Sequence, residues 1–257
     1  LENNWIDAED RPNKGPGGFC VDLPTTKESR IFMTYSNTTN NLFTLAHELG
    51  HAFHNDTTYH LKEMARHFSM NVAETASTMA EMIVSKAAIS NAKDPKEKLL
   101  LLDDHLSRSI SYLMNIHARF LFEKAFYAER KKGFVSADRL NLLMEEIQKT
   151  VYEEALETYH PSFWLGKMHF YFADISFYNF PYTFGYLFSL GIYSLSKNDP
   201  NFEDKYIHLL EDTGQMNAED LAKKHLKVDL RQEDFWKMGL NEIAEDVKTF
   251  LALAKEF

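Results

Sequence analysis

The chain has 257 residues, enough for one large domain or two small ones. Its content of 44% hydrophobic and 26% charged residues is that of a soluble globular protein, and 20 Phe with 12 Tyr promise an aromatic core. The balance of 28 basic against 38 acidic residues, a net charge of −10, argues against nucleic acid or an anionic membrane as partner.

A single cysteine, Cys20, excludes an internal disulfide and suits a reducing compartment, so a cytoplasmic location is expected. The thiol reads as a small buried apolar group. The start, Leu1-Glu2-Asn3-Asn4-Trp5, carries neither a basic nor an apolar leader region, so no signal peptide is expected. Its abruptness reads as a fragment or processed chain. No window reaches 18 apolar residues, and the densest stretch, Phe163 to Tyr193, is broken by Lys167, His169, Asp174, Asn179 and Pro181.

In chain order, residues 11–18 form a turn-rich loop. Phe19–Leu23 and Arg30–Tyr35 are β-prone runs separated by Pro24-Thr25-Thr26, which predicts a small antiparallel pair within about 18–36. The second run could pair with an extended peptide backbone. Asn37-Thr38-Thr39-Asn40 offers cap side chains for a helix, and helices then dominate. A first pair covers about 40–90, the second member running from about Tyr59 to Ser90. Asp94-Pro95-Lys96-Glu97 starts the next, which stops at Gly133. Further helices are expected from Ser136 to before His160-Pro161, and over 163–173, 183–197, 201–213, 217–226 and 232–255. The fold class expected is mainly α, one domain over 1–257, with the β element just before the first helix.

That first helix carries His47-Glu48-Leu49-Gly50-His51. Residues four apart share a helix face, so both imidazoles can aim at one metal ion. Glu48 is offset by about a quarter turn, close enough to reach a water on that ion but poorly placed to ligate it. This is the H-E-x-x-H pattern of zinc peptidases. An apolar stripe at Leu42, Leu45/Ala46, Leu49 and Phe53 has helical period, and the histidines fall off it. Gly50 costs about 1 kcal/mol in a helix, which is understandable if something packs closely there.

A catalytic zinc site needs a third protein ligand and an open position. The metzincin extension fails, because His54 and Thr57 stand where Gly and His are required. A carboxylate from a following helix is the remaining expectation, from Glu63, Glu74 or Glu81. Glu63 follows His51 too soon for the chain to turn back. Glu74 lies far enough on, among the small or apolar Val72, Ala73, Ala76, Met79 and Ala80. A carboxylate there needs a partner, and a dication supplies one. Glu81, seven residues on and on the same face, is placed to accept a hydrogen bond from the non-ligating nitrogen of a ligand histidine. The stretch 169–186 crowds His169, Tyr171, Tyr178, Tyr182 and Tyr186 around a proline break. Some are core; His169 and one or two tyrosines could donate hydrogen bonds to an oxyanion. His54, His60 and His67 lack a coherent ligand spacing.

Together these segments resemble the oligoendopeptidase F family of thimet-oligopeptidase-like zinc metallopeptidases. The resemblance rests on residues 47–54 (His-Glu-Leu-Gly-His-Ala-Phe-His) followed by 71–77 (Asn-Val-Ala-Glu-Thr-Ala-Ser). It extends to Asn4-Trp5-Ile6-Asp7, Lys14 to Phe19, His169-Phe170-Tyr171, Phe177-Tyr178, Phe180-Pro181-Tyr182, Gly185-Tyr186, Asp229-Leu230 and Asp234-Phe235-Trp236. It implies a helical catalytic domain, one Zn2+ per chain on His47, His51 and Glu74, and Glu48 as general base. It further implies short oligopeptide substrates cut internally, with His169, Tyr178, Tyr182 and Tyr186 as substrate-contacting donors. Family members carry a further N-terminal helical region, which the resemblance implies is missing from these 257 residues. Two alternatives remain: a metallocarboxypeptidase, whose carboxylate clamp would be Arg66, Arg108 or Arg119, and a non-catalytic zinc-containing peptide-binding module. The sequence sets no oligomeric state.

Overall fold

The computed structural model describes residues 3–257. It divides into two compact units: one formed by the segments up to His105 and from Phe184 onward, the other by Leu106–Thr183. Helices dominate, with one small sheet, in agreement with the expected fold class.

In the first unit, β2 (Gly18–Leu23) and β3 (Glu28–Met33) form the expected antiparallel pair, Phe19 opposite Phe32 and Cys20 opposite Ile31. A third strand, β1 (Ile6–Asp7), pairs parallel to β3, giving the order β1-β3-β2. Two residues carry too little pattern to announce a strand. This placement corrects one expectation. The run Arg30–Tyr35 is bonded on both sides, the amides of Ile31 and Tyr35 donating to Trp5 and Ala8. The edge strands are β1 and β2, and the longer of them is β2.

Helix α1 (Thr39–Thr58) starts at Thr38, whose hydroxyl accepts from the Asn41 amide while the Asn41 side chain accepts from the Thr38 amide. Its buried positions include Phe43, Ala46, Gly50 and His54, whereas Leu42, Leu49 and Phe53 are 39%, 46% and 43% exposed. Of the apolar stripe only Ala46 is buried, so most of it is not the packed face. Gly50 explains why: a Cβ there would lie 2.5 Å from the Ala76 carbonyl oxygen, so the small-residue face is the one a neighbour can approach.

The segment expected as one helix from Tyr59 to Ser90 is broken into α2 (Glu63–Arg66), a 3₁₀ turn at Met70–Val72, and α3 (Thr75–Ser90). Helix α4 (Pro95–Ile110) has the expected start. Helix α7 (Phe180–Ser196) starts within the second unit and continues into the first, followed by α8 (Phe202–Glu211), α9 (Ala218–His225) and α10 (Glu233–Leu253). The core gathers Val72, Ala76 and Met79 with Phe188, Ile192, Leu209, Leu210, Leu221 and Phe235.

The second unit holds α5 (Ile116–Arg130), joined to α4 through a π-helical turn at Ser111–Asn115, and α6 (Ala137–Val151), capped by Ser136. Helix α6 ends well before His160, and Phe163–Gly166 and Met168–Tyr171 are 3₁₀ turns, not a helix. Phe122, Leu143 and Met144 form this unit's core, with Phe163, Trp164 and Phe170 against them.

Candidate metal centre

The i, i+4 spacing on α1 brings the imidazoles of His47 and His51 together, their Nε2 atoms 3.2 Å apart. Glu74 reaches both: its Oε2 lies 3.2 Å from His47 Nε2 and 3.5 Å from His51 Nε2. A tetrahedral ion with bonds of about 2.0–2.1 Å spaces its donors by about 3.3 Å. Two imidazole nitrogens and one carboxylate oxygen at these separations therefore fit a zinc ion, and these three residues form the one such group among the described residues. Glu63 lies elsewhere, paired with Arg66 and His67.

Glu74 is not inside α3, as its sequence context suggests, but at its N-cap, with φ −93° and ψ 5°. Ser77 Oγ donates to Glu74 Oε2 at 2.8 Å. The charges in the cluster are mutually dependent. Burial opposes the charge on His47, but Glu74 and Glu81 outweigh it and raise its pKa to about 10. Burial also opposes ionisation of Glu74, yet His47 and His51 hold it well below the usual carboxylate range. A dication replaces such protons directly.

Glu81, two turns further into α3, places Oε1 2.7 Å from His47 Nδ1. With a metal in place of the second proton, that bond would keep the remaining proton on Nδ1 and leave Nε2 to ligate. Glu48 is 5% exposed, and burial raises its pKa while His47 and His51 pull it down. The edge strand flanks it: a Cβ on Gly18 would lie 3.3 Å from Glu48 Oε1. Cys20, on the same strand, has its thiol pushed up to about 11 by burial and by Glu48.

His54 is not a ligand. It stacks on Phe68 at 4.4 Å and donates from Nε2 toward Thr213 Oγ1 (2.8 Å) and the Leu210 carbonyl (3.2 Å).

The aromatic residues expected near the chemistry divide between the units. In the second, His169 and Tyr178 have ring centroids 6.0 Å apart, and Tyr178 and Tyr182 are 6.2 Å apart. Burial, then Arg119 and Lys167, lowers the His169 pKa to about 4, and its buried Nε2 has no hydrogen-bond partner among the described residues. Tyr186 belongs to the first unit and is buried on α7. Sequence reasoning missed the buried Glu123 of α5. It accepts from the Phe177 amide at 2.7 Å and the Tyr127 hydroxyl at 3.0 Å, holding Phe177 at φ +58°. Of the alternative clamp residues, Arg66 is bound to Asp22, and Arg119 to Asn115 and Asn179.

Residues 1–242 match peptidase family M3, and the chain belongs to that family. It is 27% identical over 231 residues to oligopeptidase PepF of Bacillus subtilis, covering 87% of this chain and 34% of that protein. It is 29% identical over 192 residues to the plasmid oligoendopeptidase F of Lactococcus lactis, covering 72% of this chain and 31% of that protein. The fold matches the crystal structure of oligoendopeptidase-F from Enterococcus faecium with a TM-score of 0.67 at 22% identity, over 85% of this chain and 40% of that one. The resemblance seen in the sequence thus holds, and the chain spans about a third of the length of the curated relatives it matches. Membership of a metallopeptidase family implies a metal. Among the described residues, no helix is long and apolar enough to cross a membrane.

Proposed function

We propose that this chain is the catalytic part of a zinc-dependent endopeptidase that hydrolyses internal bonds of short oligopeptides. The observation that carries the reading is the triangle of His47, His51 and Glu74 donor atoms, 3.2 to 3.5 Å on a side, with Glu48 on the same helix turn. Bound there, zinc supplies a lowered water pKa and a polarised carbonyl. Glu48 takes the proton of the attacking water and passes it to the leaving amine. Its burial suits a carboxylate that must accept and return a proton. Glu81 fixes the ring of His47. His169, Tyr178, Tyr182 and Tyr186 serve as donors to the substrate; the lowered pKa of His169 and its Nε2, without a hydrogen-bond partner among the described residues, support that role. The free edge of β2 beside Glu48 offers the backbone groups an extended peptide could pair with. The relatives' names support oligopeptide partners, the lone cysteine suits a cytoplasmic location, and the net charge of −10 argues against nucleic acid or an anionic membrane as partner.

The test is metal content together with cleavage of an internally quenched peptide blocked at both ends. One zinc per chain with internal cleavage is the expected result. Trimming of free-ended peptides only, at their C-terminus, would favour the carboxypeptidase reading. Zinc without any cleavage would favour the binding module.

A further inference from the structure

The two α1 histidines are positioned by helix spacing, whereas Glu74 is the N-cap of α3: its carbonyl accepts from the Thr78 amide at 3.0 Å and its carboxylate from Ser77 Oγ at 2.8 Å, but its own φ and ψ lie outside the helix. Packing from two neighbouring helices also holds it. On one side is α1, with Gly50 against Ala76 and Ser77. On the other is α7. A Cβ on Gly185 would lie 2.7 Å from the Glu74 Cβ and 3.0 Å from its carbonyl carbon. One turn on, Ser189 Oγ donates to the Thr75 carbonyl at 2.9 Å and lies 2.7 Å from the Thr78 hydroxyl oxygen. Thr75, Thr78 and Ser189 are all buried.

We propose that α7 positions the third metal ligand: Gly185 and Ser189 clamp the first turn of α3 and so set the affinity of the site for zinc. This rests on the metal reading of His47, His51 and Glu74. The neighbours that a Gly185 methyl would meet are a Cβ and backbone atoms, not the flexible end of a side chain. They can yield only if the N-cap moves, and the carboxylate moves with it. At donor spacings of 3.2 to 3.5 Å a displacement of that kind opens one bond of the three. Neither residue touches the ion, so both are positioning residues.

The experiment is zinc affinity of the 257-residue chain, measured by competition with a chromophoric chelator, for wild type, Gly185→Ala and Ser189→Ala. Far-UV circular dichroism and melting of the metal-free proteins check folding. Folded Gly185→Ala is expected to bind zinc about 10- to 100-fold more weakly, the range of supporting residues around a metal. Ser189→Ala introduces no clash and is expected to lose about threefold or more, one buried hydrogen bond. Wild-type affinity in a folded Gly185→Ala overturns the clamp. If that variant does not fold, unchanged affinity in Ser189→Ala overturns it. Zinc binding without peptide cleavage in the wild type would sink the peptidase reading and leave the clamp standing; no zinc uptake by the wild type would sink both.

Discussion

His47 Nδ1 lies 2.7 Å from Oε1 of Glu81, a residue 34 positions further along the chain. The contact joins α1 to α3 and decides which imidazole nitrogen is left to ligate. Glu81→Ala is expected to weaken zinc binding by about 10- to 100-fold. Glu81→Gln, which keeps an acceptor oxygen, should lose less. Chelator competition reads both, and equal affinities for Glu81→Ala and wild type would remove the role.

Glu48 makes a separable contribution. Glu48→Gln preserves size and leaves His47, His51 and Glu74 in place, so zinc stoichiometry should be unchanged. Hydrolysis of the quenched peptide should fall by about 10²- to 10⁴-fold, the usual size of a lost general base. A variant within tenfold of wild type would mean that another group takes the proton.

Burial holds His54 neutral, its pKa down to about 4 against 6.5 when unfolded. As pH falls, the unfolded chain takes up that proton first. The stability from the neutral ring is therefore complete above pH 6.5, declines below it, and is lost once pH passes about 4. The whole effect is at most about 3 kcal/mol. Urea midpoints at pH 7 and pH 5 should differ for wild type and differ less for His54→Gln.

Glu123 anchors a residue in an unfavourable backbone region. Phe177 at φ +58° costs on the order of 1–3 kcal/mol unless its surroundings hold it there. Glu123→Ala removes acceptors from the Phe177 amide and the Tyr127 hydroxyl, an expected loss of about 3 kcal/mol. Glu123→Gln should lose less, because the amide oxygen still accepts. Denaturant unfolding compares the three proteins, and a neutral Glu123→Ala would contradict the anchoring.

The parts of the site legible in the sequence are those set by local helix geometry. His47, Glu48 and His51 follow from spacing alone, and Glu81 follows from Glu74 by lying seven residues on. What was not legible depends on long-range packing. No local signal breaks the chain between Tyr59 and Thr75, where Gly and Pro are absent, so Glu74 looked helical. The face of α1 that packs is chosen by Gly50 and α3, not by the apolar stripe. β1 exists only because β3 offers it an edge. Glu123 lies far along the chain from Phe177, and nothing near it announces a partner.

The exposed row of Leu42, Leu49 and Phe53 on α1 sets how this chain behaves as a solute. Its net charge of −10 keeps copies apart at low ionic strength, where the screening length is long. Salt shortens that length from about 10 Å at 0.1 M to about 3 Å at 1 M and leaves the apolar row untouched. Self-association should therefore rise with ionic strength, the reverse of an assembly held by ion pairs. Sedimentation velocity in low and high salt reads the difference, and Leu49→Lys should shift the balance back toward the monomer.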